Sequence, residues 1–372
     1  MKTQVFKLDR SSPDPAVIRT AAEVVEAGGL VILPTESFYC IACRAAPSAI
    51  NRLDSIKRRS PLKSYSLHIA ETAAVRRYVP HMSPPASKLA ERLWPGPLTI
   101  VFDLSDEVMS GLRQSLPADE ICLYSGSSIA VRCPDDAVAA ALLGAARCPV
   151  VATSANLSGQ PPAVEGSEAA TQFEDQVDIV LDAGRCRYQK GSTVVRIWAR
   201  GLEMLREGFY TESDIRQAMR VSVLFVCAGN TCRSPMAEGL YRKYLAAKLG
   251  CSVDRLDEMG YKAGSAGVTA MNGLRASALS VKFCASEGID ISGHRSRQLD
   301  EELVRQSDQI FVMSRSQLEL IRSHWPSAAA KCELLAGQAE ITDPVGGSEE
   351  FYQKCGQHIK AALQKRLGEQ PV

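Results

Sequence analysis

No stretch of this chain stays apolar for the length that a membrane-spanning helix needs. The N-terminal MKTQVFKLDR has no apolar h-region, so no signal peptide is expected. An excess of one charge is also missing: 43 Lys and Arg against 42 Asp and Glu leave a formal net charge of +1. No global field therefore draws the whole molecule to nucleic acid or membrane, although a local basic groove stays open. There is no internal repeat and no low-complexity linker, so neither a repeat array nor a flexible tether organises the chain. Cys40 and Cys43 form a lone CxxC with no second pair at ligand spacing, which leaves packing as their reading and no metal site expected. The 12 cysteines are scattered, and without a signal they read as reduced thiols in the cytoplasm.

What is present points to two domains. At 372 residues the chain is long for one, and 45% hydrophobic with 23% charged residues is ordinary globular composition. Two apolar strands run into turns: Gly28 to Pro34, and Val221 to Val226. Between them, 129–131, 150–152, 179–181 and 193–197 read as strands, and 15–27 and 85–93 as helices. A short helix over 214–220 closes the first part, so the expected domains are 1–220 and 221–372. Strand and helix alternate after Cys227, with a strand at 310–313 and a terminal helix at 351–367, which argues a parallel α/β sheet.

The second strand leads into Cys227-Ala228-Gly229-Asn230-Thr231-Cys232-Arg233-Ser234-Pro235. A cysteine, five residues and an arginine span a loop that can fold around a phosphate, with backbone N–H groups pointing inward. A helix starting near Ser234-Pro235 adds its positive end. Arg233 can grip two phosphate oxygens at once, which a lysine could not. The same field favours the Cys227 thiolate, the form that attacks phosphorus. Cys232 shares this tight loop and is the expected redox partner of Cys227. CxxxxxR alone recurs by chance; its place between an apolar strand and a proline-started helix gives it weight.

Residues 221–372 resemble the low-molecular-weight protein tyrosine phosphatase family. The resemblance rests on this loop, Ser265-Ala266-Gly267, Gly288-Ile289-Asp290, His294, Ser296-Arg297 and Asp343-Pro344. It implies a small parallel sheet flanked by helices, Cys227 as nucleophile and Asp343 as the acid that protonates the leaving group. It implies that Asn230 shapes the loop, that Ser234 hydrogen-bonds the sulfur, and that no cofactor is needed. Arsenate reductases share the loop, but Cys251, Cys284, Cys332 and Cys355 form no relay pair, and Asp343-Pro344 fits a phosphatase. Family members that act on phosphotyrosine typically have isoleucine where Thr231 stands and aromatics after Asp-Pro, where this chain has Val345-Gly346-Gly347. Thr231 with Asp-Pro-x-Gly-Gly is similar to the protein arginine phosphatase branch, which usually has phenylalanine at the position of Val345. Phosphoarginine is the expected substrate, phosphotyrosine the alternative, and Thr231 the selectivity residue.

In the first 220 residues, Lys57-Arg58-Arg59 supplies cations suited to phosphates, and Ser154 and Asn156 follow a strand, where open α/β sheets bind ligands. Each piece alone has a bland reading as solvated face, turn or helix cap. Together they point to an anionic ligand of nucleotide type. Residues 10–210 resemble the Sua5/YrdC family of threonylcarbamoyl-AMP synthases. The resemblance rests on Lys57/Arg59, Ser154/Asn156, the Pro34 to Tyr39 segment, Trp94-Pro95-Gly96-Pro97-Leu98-Thr99, Val131-Arg132-Cys133-Pro134, Ser192-Thr193-Val194 and Leu205 to Gly208.

That resemblance implies a twisted open α/β sheet and the synthesis of threonylcarbamoyl-AMP from threonine, bicarbonate and ATP for the t6A modification of tRNA. By carry-over, Thr35, His68, Arg132 and Ser192 line the threonine site. Lys57, Arg59, Ser154, Asn156 and Arg206 hold ATP, with Mg2+ on its phosphates. Two departures border this pocket: Cys40 stands where the family usually has glycine, and Lys63-Ser64-Tyr65 where it has Lys-Pro-Leu. The whole chain is thus expected to be bifunctional and cytoplasmic, with a phosphoprotein substrate and tRNA or t6A-machinery partners. The rival readings are a first domain that only binds nucleotide or double-stranded RNA, and a second that only binds phosphorylated sites.

Overall fold

The computed structural model describes residues 2–58, 65–198 and 201–369. The chain separates into two compact units, with the boundary between Ala218 and Met219.

The strands of the first unit are β1 (Gln4–Lys7), β2 (Val31–Leu33), β3 (Cys40–Arg44), β4 (Ser66–His68), β5 (Leu98–Asp103), β6 (Ser128–Arg132), β7 (Val150–Ser154), β8 (Ile179–Asp182), β9 (Thr193–Trp198) and β10 (Gly201–Arg206). They form one sheet in the order β1-β8-β2-β3-β7-β4-β6-β5-β9-β10. It is mixed: β3 runs antiparallel to both β2 and β7, whereas β4 runs parallel to β6 and β5 parallel to β9. Helix Pro15–Glu26 begins where Asp14 accepts from the Ala16 N–H at 2.8 Å and Pro15 takes the first turn. Ile18, Ala21, Ala22 and Val25 recur at helical spacing and are buried against Val31, Leu33, Ala42, Val150 and Leu181. Each large aliphatic side chain buried this way contributes about 1.5–3 kcal/mol. The helix expected near 214–220 spans Glu212–Ala218.

The second unit carries β11 (Val221–Cys227), β12 (Tyr261–Gly267), β13 (Gln309–Val312) and β14 (Cys332–Leu334), ordered β12-β11-β13-β14 and all parallel. Along β11, Val223, Phe225 and Cys227 face one core with Leu240, Phe283, Phe311 and Ile359, while Leu224 and Val226 face another with Ile310, Val312 and Ile321. Both faces are buried, so the strand reads as an unbroken apolar run. The chain moves from β11 to one side for β12 and to the other for β13. The carboxyl end of β11, at Cys227, therefore lies at the switch in strand order where open α/β sheets form a crevice.

Candidate active sites

In the first unit a cavity of about 740 Å3 lies on one face of the sheet. Alternate residues form its floor: Ser66 and His68 of β4, Thr99 and Val101 of β5, Ser128, Ala130 and Arg132 of β6, Ala152 and Ser154 of β7. The intervening Leu67, Ile100, Val131 and Val151 are buried on the opposite side. The sequence reading placed a ligand beyond the carboxyl end of β7; the structure puts Ser154 and Asn156 in the wall of a cavity lined from seven strands, β3 to β7, β9 and β10.

His68, Arg132, Ser154, Asn156, Ser192 and Arg206 all line this cavity. Thr35 stands behind Arg132, whose Nη2 is 3.4 Å from Thr35 Oγ1, 3.1 Å from Ser37 Oγ and 2.7 Å from Glu36 Oε1. Glu36 is fully buried, and its other oxygen accepts from the Asp135 N–H at 3.0 Å. Sequence reasoning passed over Glu36. It sits inside the Pro34 to Tyr39 segment, but only the fold shows that it is the counter-ion of Arg132.

Two buried atoms of these cavity-lining residues have no hydrogen-bond partner among the described residues: Arg132 Nε and His68 Nε2. The His68 Nδ1 lies 3.1 Å from the Ser66 carbonyl and so carries the proton, which leaves Nε2 as an acceptor. Burial, and then the Arg132 charge, push the His68 imidazole down to about 3, so the ring is neutral. Arg206 donates to the Ser192 carbonyl at 2.9 Å and to its hydroxyl at 3.1 Å. Burial, and then the Arg132 charge, oppose the Arg206 cation.

Lys57 is buried and is not among the residues lining the cavity. Its ammonium donates to the Asn156 carbonyl at 2.8 Å, to Asn156 Oδ1 at 3.2 Å and to the Ser154 carbonyl. Ser154 Oγ donates to Asn156 Oδ1 at 2.6 Å. Lys57 thus fixes the Ser154–Asn156 turn. Arg59 lies outside the described residues, as do Lys63 and Ser64. No three His, Cys, Asp or Glu side chains gather as a metal site among the described residues.

In the second unit the loop after β11 closes on the Cys227 sulfur. The Asn230 N–H donates to Sγ at 3.2 Å, and Ser234 Oγ lies 3.0 Å from it. Asn230 takes a left-handed backbone with φ of 54°, which asparagine tolerates. Its side chain is fully buried, donates to Ser234 Oγ at 2.9 Å and accepts from the Arg297 N–H at 2.9 Å. The Ser234 hydroxyl, accepting from Asn230, has the Cys227 sulfur at 3.0 Å and the Ala266 carbonyl at 3.4 Å as acceptors for its own proton. The His294 Nε2–H donates to the Asn230 carbonyl at 2.7 Å. Gly267 at the end of β12 leaves room for the loop, because a Cβ there would strike the Ala228 carbonyl.

Arg233 is buried and reaches the Ile341 carbonyl at 3.0 Å and the Asp343 carboxylate, while its Nε has no partner among the described residues. Asp343, half-exposed, also accepts from the Val345 N–H at 3.2 Å. Cys227, Asn230, Arg233, Ser234 and Asp343 are therefore assembled around one loop. Cys232 is buried at the start of the following helix, Arg233–Leu249, 3.2 Å from the Tyr352 hydroxyl, a neighbour no local motif announces. The segment after Asp343-Pro344 holds no aromatic, but an aromatic still reaches it. Phe351, in the first turn of helix Glu349–Glu369, packs on Gly347, with Cβ and Cδ1 3.2 Å from where a glycine Cβ would stand.

Comparison with known proteins matches these two units separately. The Sua5/YciO/YrdC family, described as telomere recombination, matches residues 23–208, and the low molecular weight phosphotyrosine protein phosphatase family matches 222–370. The chain belongs to the Sua5/YciO/YrdC family and carries a fused low molecular weight phosphatase domain. A threonylcarbamoyl-AMP synthase of Vibrio cholerae is 32% identical over 194 residues, 51% of this chain and 97% of that protein. One from Pyrococcus abyssi is 28% identical over 230 residues, 61% of this chain, and the chain spans 65% of its length. A protein of Ralstonia nicotianae described as a probable low molecular weight protein-tyrosine-phosphatase is 38% identical over 125 residues, 33% of this chain and 77% of that protein. Both are enzyme families.

The two departures from the Sua5/YrdC pattern that fall on described residues are both in the cavity wall. Cys40 is buried, and burial pushes its thiol up, so it presents a neutral group. Tyr65 is anchored by its hydroxyl to Asp54 Oδ1 at 2.6 Å. Cys43 lies on the opposite face of β3 from Cys40, since three residues along a strand reverse the side, which explains why this CxxC makes no ligand pair.

Proposed function

We propose that the first unit makes threonylcarbamoyl-AMP from threonine, bicarbonate and ATP, and that the second is a phosphoprotein phosphatase working through a phosphocysteine. The synthase reading is carried by the single cavity that His68, Arg132, Ser154, Asn156, Ser192 and Arg206 line together. Arg132 offers a donor to the threonine carboxylate, and the neutral His68 accepts a hydrogen bond from the amino or hydroxyl group. Thr35 and Ser192 complete the threonine side. The amine adds to CO2 derived from bicarbonate, the carbamate oxygen attacks the α-phosphorus of ATP, and the bond to the β-phosphate breaks to release pyrophosphate. Ser154, Asn156, Arg206 and Arg59 are assigned to ATP. Lys57 serves it by holding the Ser154–Asn156 turn. Mg2+ arrives as part of the nucleotide substrate, held by phosphates and water. The product would feed tRNA modification, which places the protein in the cytoplasm beside the t6A machinery. Pyrophosphate release that needs both threonine and bicarbonate, is lost in Arg132→Ala and survives in Cys227→Ser tests this reading. Release without threonine would overturn it.

In the phosphatase reading, the Cys227 sulfur attacks phosphorus while Arg233 and the loop N–H groups hold the equatorial oxygens. Asp343 gives its proton to the leaving nitrogen or oxygen, then takes one from the water that cleaves the sulfur–phosphorus bond and frees Cys227. Phosphoarginine is favoured because Thr231 offers a hydroxyl to a guanidinium leaving group and Val345 puts no ring directly after Asp343-Pro344. A phosphotyrosine substrate draws support from Phe351 on Gly347 and from the description of the Ralstonia relative. Comparing kcat/KM for phosphoarginine and phosphotyrosine peptides, with Cys227→Ser as control, decides between them.

A further inference from the structure

In the second unit, four large apolar side chains are exposed among the described residues: Met271, Leu274, Val345 and Phe351, at 72%, 46%, 67% and 43%. Scattered exposed apolar residues are ordinary, but these are not scattered. Met271 and Leu274 belong to the segment that leaves β12 and is stitched to the phosphate loop. Val268 N–H donates to the Cys227 carbonyl at 2.9 Å, Thr269 N–H to Ala228 at 3.1 Å, and Ser277 N–H to the Thr231 carbonyl at 2.8 Å. Leu274 and Met271 are held in turn by Ser296, which accepts from the Leu274 N–H at 2.9 Å and donates to the Met271 carbonyl at 2.5 Å. Val345 and Phe351 belong to the other flank, the loop that carries Asp343 and the helical turn packed on Gly347.

We propose that these two flanks form an apolar rim around the phosphate loop that binds the residues on either side of the phosphorylated side chain. The substrate is then a polypeptide whose phosphorylated residue has apolar neighbours, and not a small phosphorylated metabolite. An exposed Met and Phe beside an anion nest gain nothing from a free phosphate or sugar phosphate, which is polar all round. They gain from a chain that buries Leu, Ile or Phe against them while its phosphate enters the loop. Both flanks hang on hydrogen bonds to the catalytic loop, so the rim is pre-positioned. This inference rests on the phosphatase reading.

The test uses the full-length protein and two peptide series, one phosphoarginine and one phosphotyrosine. Each pairs a peptide with Leu and Phe beside the phosphorylated residue against the same peptide with Ser there. The expected result is a kcat/KM about tenfold higher for the apolar-flanked member, which corresponds to about 1.4 kcal/mol. Met271→Ser with Val345→Ser should bring that ratio within about twofold of unity, and so should Phe351→Ser. The first pair of sites is two-thirds or more exposed, so its replacement leaves the core intact. Equal rates for the two members of each series, or a preference for the Ser-flanked one, would overturn the rim alone. Absence of any Cys227-dependent turnover of phosphopeptides would overturn the phosphatase reading and this inference with it.

Discussion

Replacing Glu36 by glutamine tests the buried ion pair that Arg132, in the cavity wall of the first unit, makes behind it. The Arg132 side chain is 7% exposed and that of Glu36 is 0% exposed, with 2.7 Å between them. Removing one partner of such a pair strands the other charge in a medium that solvates it poorly, at a cost of about 3–5 kcal/mol. Glutamine keeps the size and can still accept from Arg132, but its amide must then face the Asp135 N–H, now donor against donor. For a unit of this size each kcal/mol lowers the melting temperature by about 2–4 °C, so the unit should melt roughly 10 °C earlier.

A second reading of the same variant separates structure from function. If the threonine carboxylate docks on Arg132, then in Glu36→Gln the ligand becomes the only counter-ion that guanidinium has. Added threonine should raise the melting temperature of the variant by more than it raises that of the wild type, because ligand stabilisation grows with affinity for the folded state. Calorimetry on both proteins, with and without threonine, gives both numbers. A variant as stable as the wild type would refute the buried-pair argument. A destabilised variant to which threonine gives no extra stability would refute the placement of threonine on Arg132.

His68 is neutral in the fold at about 3 against an ordinary 6.5, so the unfolded chain binds a proton first as pH falls. Stability is therefore untouched above pH 7 and lost between about 6.5 and 3; His68→Gln should remove about 2 kcal/mol of the difference between pH 7 and pH 5 in urea melts, and parallel pH profiles would refute this. Thr231→Ile should move the kcat/KM ratio toward phosphotyrosine peptides, whereas a wild type that prefers phosphotyrosine, with a variant no different, would sink the phosphoarginine assignment. Peroxide should oxidise Cys227 to a sulfenic acid from which the Cys232 thiol expels water, leaving a disulfide that dithiothreitol reduces; in Cys232→Ser nothing traps the sulfenic acid, so excess peroxide should carry it to the sulfinic acid and activity should not return. Lys57→Met should slow pyrophosphate release by loosening the Ser154–Asn156 turn, and an unchanged rate would show that the turn holds itself.

The phosphate loop could be read in the sequence because its parts are local. Cys227, Asn230, Arg233 and Ser234 lie within eight residues, between a strand whose two buried faces make an unbroken apolar run and a helix with proline near its start. Only Asp343 is distant, and the Asp-Pro pair marks it. What the sequence could not show there is who packs on whom. Tyr352 on Cys232 and Phe351 on Gly347 come from a helix more than a hundred residues downstream, with no motif to tie them to the loop.

The synthase cavity was harder because its floor is a sheet face. Ser66, Thr99, Ser128 and Ala152 meet only through the pairing of β7, β4, β6 and β5, strands that are not consecutive in the chain. A rule about the carboxyl ends of parallel strands reaches only the Ser154 and Asn156 part of this cavity, since β7 is antiparallel to both its neighbours and the other lining residues come from along the strands. The residue types were still informative, because a serine, threonine or arginine at an inward position of a buried strand needs a partner. Most find one in the protein. Among the described residues Arg132 Nε and His68 Nε2 do not, and that shortfall is visible only once the strands are paired, since no motif announces it.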